Sequence, residues 1–177
     1  MEQTKKIYFA SDVHLGAPTI SNHLAHERRF VRWLDSIKPT TTELYLMGDI
    51  FDFWFEYKKT VPKGFTRLLG KIAEFTDSGI PVHFFTGNHD IWVFDYLPAE
   101  TGVKVYREPL IINLDGKRFF LAHGDGLTSH EKTFIRIKAL FTNKLAQRLF
   151  RLVHPDLGIR LAGFLSRKSR EKNMAED

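Results

Sequence analysis

Four short stretches hold most of the side chains in this sequence that bind metals or move protons. They are Asp12-x-His14, Gly48-Asp49-x-x-Asp52, Gly87-Asn88-His89-Asp90 and His123-Gly124-Asp125. Each follows an apolar run: IYFA, LYLM, VHFF and FFLA in turn. Carboxylate oxygen combined with imidazole nitrogen suits Mn, Fe or Zn, whereas an all-oxygen set suits Mg or Ca. Two such cations sharing one carboxylate clamp both oxygens of an in-line phosphoryl displacement. Taken singly, each stretch has a plainer explanation as a turn former or helix cap. Four in series, each at the end of an apolar run, do not.

Something must bring these stretches together. Residues 7–10 read as a buried strand running into a loop, and a helix capped by Ser21 or Asn22 should run to Ile37, where Pro39 stops it. A second strand lies in ELYLMGD, a second helix over 64–77 ended by Ser78 and Gly79, and a third strand in IPVHFFTGNHD. Strand and helix in alternation imply a parallel α/β sheet, whose strand ends converge on one crevice. After Gly102 the rhythm changes. Asp115-Gly116 between two apolar runs predicts an antiparallel hairpin of strands 109–114 and 118–122. From Ser129 to Arg167 the pattern is helical, with apolar stripes at Phe134–Phe141, Leu145–Val153 and Leu161–Leu165; the polar end, 171–177, should fray.

The chain has 177 residues and no cysteine, which excludes disulfides and thiolate chemistry. The N-terminus has no apolar leader, and no apolar run is long enough to span a membrane. The net charge is +5, and it is unevenly placed: residues 127–177 hold eleven basic and five acidic side chains. That basic segment favours anionic partners such as phosphate groups, nucleic acid or an anionic membrane surface.

The four motifs, in order, closely resemble those of the calcineurin-like metallophosphoesterases over residues 7–126. The resemblance implies an αββα sandwich of mixed sheet, α/β or α+β in class, with a core over 1–126 and a helical basic cap inserted over 127–170. It also implies two divalent cations, Mn(II) first, with Fe or Zn as alternatives. Asp12 and His14 would hold one, Asn88 and His123 the other, and Asp49 would bridge them. His89 would face the phosphate as an acid oriented by Asp52, with Asn88 beside it, and Asp90 would support the ligands from behind. The family's final G-H-x-H is not found, so a chain ending at Asp177 reads as a sandwich without its last part and a centre two histidines short, with lowered activity. Neither His130 nor His154 has the surroundings to replace them.

SDVHLGAP, GDIFDFWFEY and HGDGL resemble the branch containing the UDP-2,3-diacylglucosamine pyrophosphatases of lipid A synthesis. The implied partner is a UDP-linked lipid sugar, hydrolysed to UMP and the sugar 1-phosphate at the inner face of a membrane. Arg136, Lys138, Arg167 and Arg170 of the cap would position it. One departure is His89, where some enzymes of that branch carry Arg. A nuclease or cyclic-nucleotide phosphodiesterase of the same fold, or a fragment that only binds ligand or membrane, are the alternatives. The basic segment lacks the regular aromatic interleaving of a single-strand binder. Oligomeric state is not legible.

Overall fold

The computed structural model describes residues 4–124 and 139–176, with side chains described to Arg167. Four short strands, β1 (Lys6–Ala10), β2 (Thr41–Leu46), β3 (Val82–Phe85) and β4 (Lys104–Tyr106), form a parallel sheet in that order. Helices α1 (His23–Ile37), α2 (Thr66–Asp77) and α3 (Tyr96–Thr101) make the crossovers. Successive strands are neighbours, so every crossover advances the same way and its helix returns over the same face. The core shows this. Phe30, Leu34 and Ile37 of α1, Leu68, Ile72 and Phe75 of α2, and Leu97 of α3 share one cluster with Leu44, Leu46, Val82 and Phe84 of the sheet.

The other face carries Tyr45, Met47 and Phe85. It is covered by a hairpin, β5 (Leu110–Leu114) and β6 (Lys117–Leu121), through Leu110, Ile112, Leu114 and Leu121. The hairpin turn is Asp115-Gly116, both with positive φ (47° and 74°), the left-handed pair that a two-residue hairpin requires. Parallel and antiparallel pairing are thus both present, segregated into a four-stranded sheet and a two-stranded one.

The capped helix α1 begins where expected, with Asn22 Oδ1 accepting from Ala25 N at 2.9 Å. Two elements were not foreseen: the six-residue α3 and β4. β4 is three residues long, too short to show an alternation, yet it is the fourth strand of the parallel sheet. The run before His123 belongs to β6 of the hairpin, as the Asp115-Gly116 turn predicts. Convergence on the crevice therefore comes from three parallel strands and one hairpin strand. The hairpin can deliver His123 because it packs over the sheet face beneath Met47.

In the cap, α4 (Lys144–Phe150) is capped by Asn143, and α5 runs from Pro155 to Glu176. The polar end expected to fray is helical to Glu176. After Gly163 it has neither Gly nor Pro and is rich in Arg, Lys and Glu, which lose little in a helix. The cap is fastened by aromatic packing: Trp92 lies 4.8 Å from Phe150 and 5.0 Å from Phe141 between ring centroids. The Trp92 indole N–H also donates to Phe141 O at 2.8 Å. The stripe over Leu145, Leu149 and Leu152 does not close into a bundle among the described residues: all three are exposed, Leu152 by 83%.

Candidate metal centre

The loops after β1 and β2 are laced together by backbone hydrogen bonds. Asp12 N donates to Gly48 O (3.1 Å), His14 N to Asp49 O (2.9 Å), Leu15 N to Ile50 O (2.9 Å) and Asp52 N to Leu15 O (2.9 Å). Holding this register forces Asp12, His14 and Asp49 to positive φ (55°, 49° and 53°). Non-glycine residues reach that region only at a cost, and such strain gathers at functional sites. Two glycines make the closeness possible. A Cβ on Gly48 would lie 2.6 Å from His123 Nδ1, and one on Gly87 would sit inside the carboxylate of Asp49.

Asp49 is the hub. Its Oδ2 is 3.4 Å from His123 Nε2 and 3.8 Å from His14 Nε2, and its Oδ1 accepts from His89 N at 2.9 Å. His14 Nε2 is also 3.8 Å from Asp12 Oδ1. Two groups of donor atoms, His14–Asp49–His89 and Asp12–Asp49–His123, each lie within 4.8 Å of one another, and Asp49 belongs to both. Burial alone would raise the Asp49 carboxyl pKa. The hydrogen bond from His123, the His89 N–H and the two rings outweigh it and hold the group below its ordinary value. His123 Nδ1 is 2.8 Å from Met47 O, an acceptor only, so Nδ1 carries a proton and Nε2, which faces Asp49, is the atom that would offer a lone pair to a bound cation once its own proton is displaced. A shared carboxylate with imidazole lone pairs on either side is a donor set that fits divalent cations.

Behind the hub lies Asp90, wholly buried. Its carboxylate accepts from Gly87 N (2.8 Å), Ile50 N (2.9 Å), Phe51 N (3.3 Å) and Asp49 N (3.3 Å). It therefore pins the β2 loop to the β3 loop. Burial and the neighbouring Asp49 charge push its pKa up to about 7.

Asp52 meets His89 through its main chain: His89 Nδ1 donates to Asp52 O at 2.9 Å, while the carboxylate Oδ1 is 3.7 Å away. The carboxylate is turned elsewhere, with Oδ1 3.4 Å from His14 Nδ1 and Oδ2 accepting from Ser166 Oγ at 3.0 Å. Sequence reasoning missed Ser166. A serine inside a helical stretch, 114 positions from Asp52, gives no local signal.

An apolar cavity of about 460 Å³ opens beside this cluster. Asp52, Asn88 and His89 stand at one side, and Leu140, Phe141, Phe150, Leu161 and Leu165 line the rest. Trp92 lines it too, while also forming part of the cap joint. Of the cap cations singled out, Arg136 and Lys138 fall outside the described residues, Arg170 lies on α5 without a described side chain, and Arg167 is exposed. His130 also falls outside the described residues. His154 sits at the start of α5 and belongs to neither donor group.

Residues 5–171 match the family model described as calcineurin-like phosphoesterase. A Porphyromonas gingivalis protein named UDP-2,3-diacylglucosamine hydrolase is 46% identical over 166 residues, covering 93% of this chain and 63% of its own length. An Edwardsiella ictaluri protein of the same name is 29% identical, covering 95% and 63%. The chain thus spans somewhat under two thirds of these curated relatives. Among solved structures, an Aquifex aeolicus protein of unknown function aligns over 76% of this chain and 71% of its own, at 19% identity and a TM-score of 0.46.

Proposed function

The chain belongs to the calcineurin-like phosphoesterases, and from that premise we propose that the protein hydrolyses the diphosphate of UDP-2,3-diacylglucosamine. The products are UMP and 2,3-diacylglucosamine 1-phosphate. Water adds to one phosphorus, the P–O–P bond breaks, and the water's proton leaves to solvent or to the departing phosphate. The observation that carries this reading is the apolar cavity beginning at Asn88 and His89. A substrate with acyl chains next to its phosphate has a group to fill it; a nucleic-acid backbone has none. The names of the two relatives support the same substrate.

In this reading Asp12, His14, Asp49, Asn88 and His123 hold two divalent cations, Mn(II) first, with Fe or Zn as alternatives. When bound, such cations supply a nucleophile at neutral pH and offset charge on the phosphoryl oxygens. The chain's own residues do the rest. Asp49 holds the two halves of the centre in register. Asn88 donates to a phosphoryl oxygen. His89, with Nδ1 committed to Asp52 O, has Nε2 for the phosphate as acid. Arg167 and the other cap cations, Arg136, Lys138 and Arg170, hold the substrate's charge.

The cap also suits an anionic membrane face. Exposed Leu145, Leu149 and Leu152 lie among Lys144, Arg148 and Arg151, and each such cation contributes about 1 kcal/mol near an anionic surface. No helix among the described residues is long and apolar enough to cross a membrane. Peripheral binding at the cytoplasmic face is the mode we assign.

The test is UMP release from the diacyl UDP-sugar with Mn(II), run beside bis(p-nitrophenyl) phosphate and a single-stranded RNA. Preferential turnover of the lipid sugar supports the proposal. Turnover of RNA with no UMP release would make the protein a nuclease.

A further inference from the structure

Asp52 stands between the cap and the metal centre, and its two carboxylate oxygens serve different masters. Oδ2 accepts the hydroxyl of Ser166, which α5 brings across from the cap. Oδ1 lies 3.4 Å from His14 Nδ1. Both acidic and hydroxyl residues are almost fully buried, Asp52 at 5% exposure and Ser166 at 6%. His14 Nδ1 is itself buried and makes no hydrogen bond, so the Asp52 carboxylate acts on it as a nearby charge.

The chemistry of His14 gives the arrangement its meaning. The ring offers Nε2 toward Asp12 and Asp49, at 3.8 Å from each. To present a lone pair there, the neutral imidazole must carry its proton on Nδ1. A carboxylate charge 3.4 Å from Nδ1 favours the proton there over Nε2, the kind of support that ligand histidines generally receive. A carboxylate can rotate, however. A hydrogen bond on its other oxygen helps decide which way it points. Here one such bond comes from the cap.

We propose that Ser166 is a positioning residue: by fixing the carboxylate of Asp52, its hydroxyl sets the tautomer of His14 and makes cation affinity depend on the docking of α5. This rests on the metal-centre reading above but not on the identity of the substrate. The rival role for Ser166 is wall material, since it also lines the apolar cavity. In that role its loss would alter only the fit of an apolar ligand.

The experiment titrates Mn(II) into the wild-type chain, S166A and S166T, with circular dichroism to check folding. Loss of a group supporting a ligand histidine costs about 10–100-fold in affinity. S166A should therefore bind at least about 10-fold more weakly. S166T, which keeps a hydroxyl, should recover most of the loss. Nitrogen chemical shifts of His14 provide a second readout: the Nδ1–H tautomer in wild type and S166T, a mixture in S166A. Should S166A fail to fold, D52N breaks the same link from its other end and should give the same mixture. Unchanged Mn(II) affinity in folded S166A overturns the proposal and leaves the metal-centre reading standing. Equal loss in S166A and S166T also overturns it, since the hydroxyl would then not matter. A wild-type chain that binds no Mn(II) removes the metal-centre reading and this proposal together.

Discussion

The Asp90 carboxylate accepts a hydrogen bond from Ile50 N at 2.9 Å, joining two loops forty residues apart. The same carboxylate accepts from Gly87 N at 2.8 Å, and nothing of it reaches solvent. Its role is structural tension at the centre's back: it fixes where Asp49 and Asn88 begin. Asp90→Ala would strand buried N–H groups, each worth about 1–3 kcal/mol when unsatisfied. The expected loss is about 3 kcal/mol or more in urea unfolding. Asp90→Asn keeps one acceptor oxygen and should lose less. Equal stability of Asp90→Ala and wild type would contradict this role.

Gly87 and Gly163 make a matched pair. A side chain at Gly87 would collide with the Asp49 carboxylate, whereas Gly163 on α5 faces open space. Gly87→Ala should lower Mn(II) affinity at least about 10-fold, the range seen when a ligand's support is disturbed. Gly163→Ala should leave affinity alone and raise stability by about 0.5–1 kcal/mol, because alanine is the better helix residue. Titration calorimetry and thermal melts read the two effects.

His83 gives the fold a pH dependence away from the centre. It stacks on Tyr45 at 4.3 Å, and Nε2 meets Glu43 Oε2 at 3.1 Å. Burial lowers its pKa below the ordinary 6.5, more than the Glu43 charge raises it. As pH falls through about 6.5, the unfolded chain therefore takes up the proton first. This contribution to stability is full above that pH and is lost as pH drops toward the folded value. His83→Phe, which keeps the stacking, should flatten the fall in urea midpoint between about pH 6.5 and 5.

The cavity and the outer cap face should separate on mutation. Ala162→Trp fills the cavity that Ala162 lines. It should raise KM for the diacyl UDP-sugar several-fold while leaving bis(p-nitrophenyl) phosphate turnover within about twofold, since uniform binding is what is removed. Leu149→Ser with Leu152→Ser alters exposed positions instead. That pair should weaken co-sedimentation with phosphatidylglycerol vesicles and spare the soluble substrate.

Much of this was legible in the sequence because the motifs sit on strong local signals. The apolar runs, the Asn22 cap and the Asp115-Gly116 turn each specify their element locally. The chemistry-bearing residues follow directly from those runs, so Asp12, His14, Asp49, His89 and His123 could be expected in one crevice. What stayed hidden depends on long-range packing. The three-residue β4 exists because it pairs with β3, not because of its own pattern. The hydrogen bond that His89 donates goes to the Asp52 carbonyl, a group every residue has. Ser166 gains its meaning only when α5 docks.

The most direct test is Mn(II) stoichiometry with electron paramagnetic resonance on the chain and on Asp49→Ala. A shared Asp49 carboxylate requires two Mn(II) per chain with an exchange-coupled spectrum, and Asp49→Ala should lose the coupling and most of the binding. A single uncoupled Mn(II), or coupling that survives Asp49→Ala, would contradict a two-cation centre built around that residue.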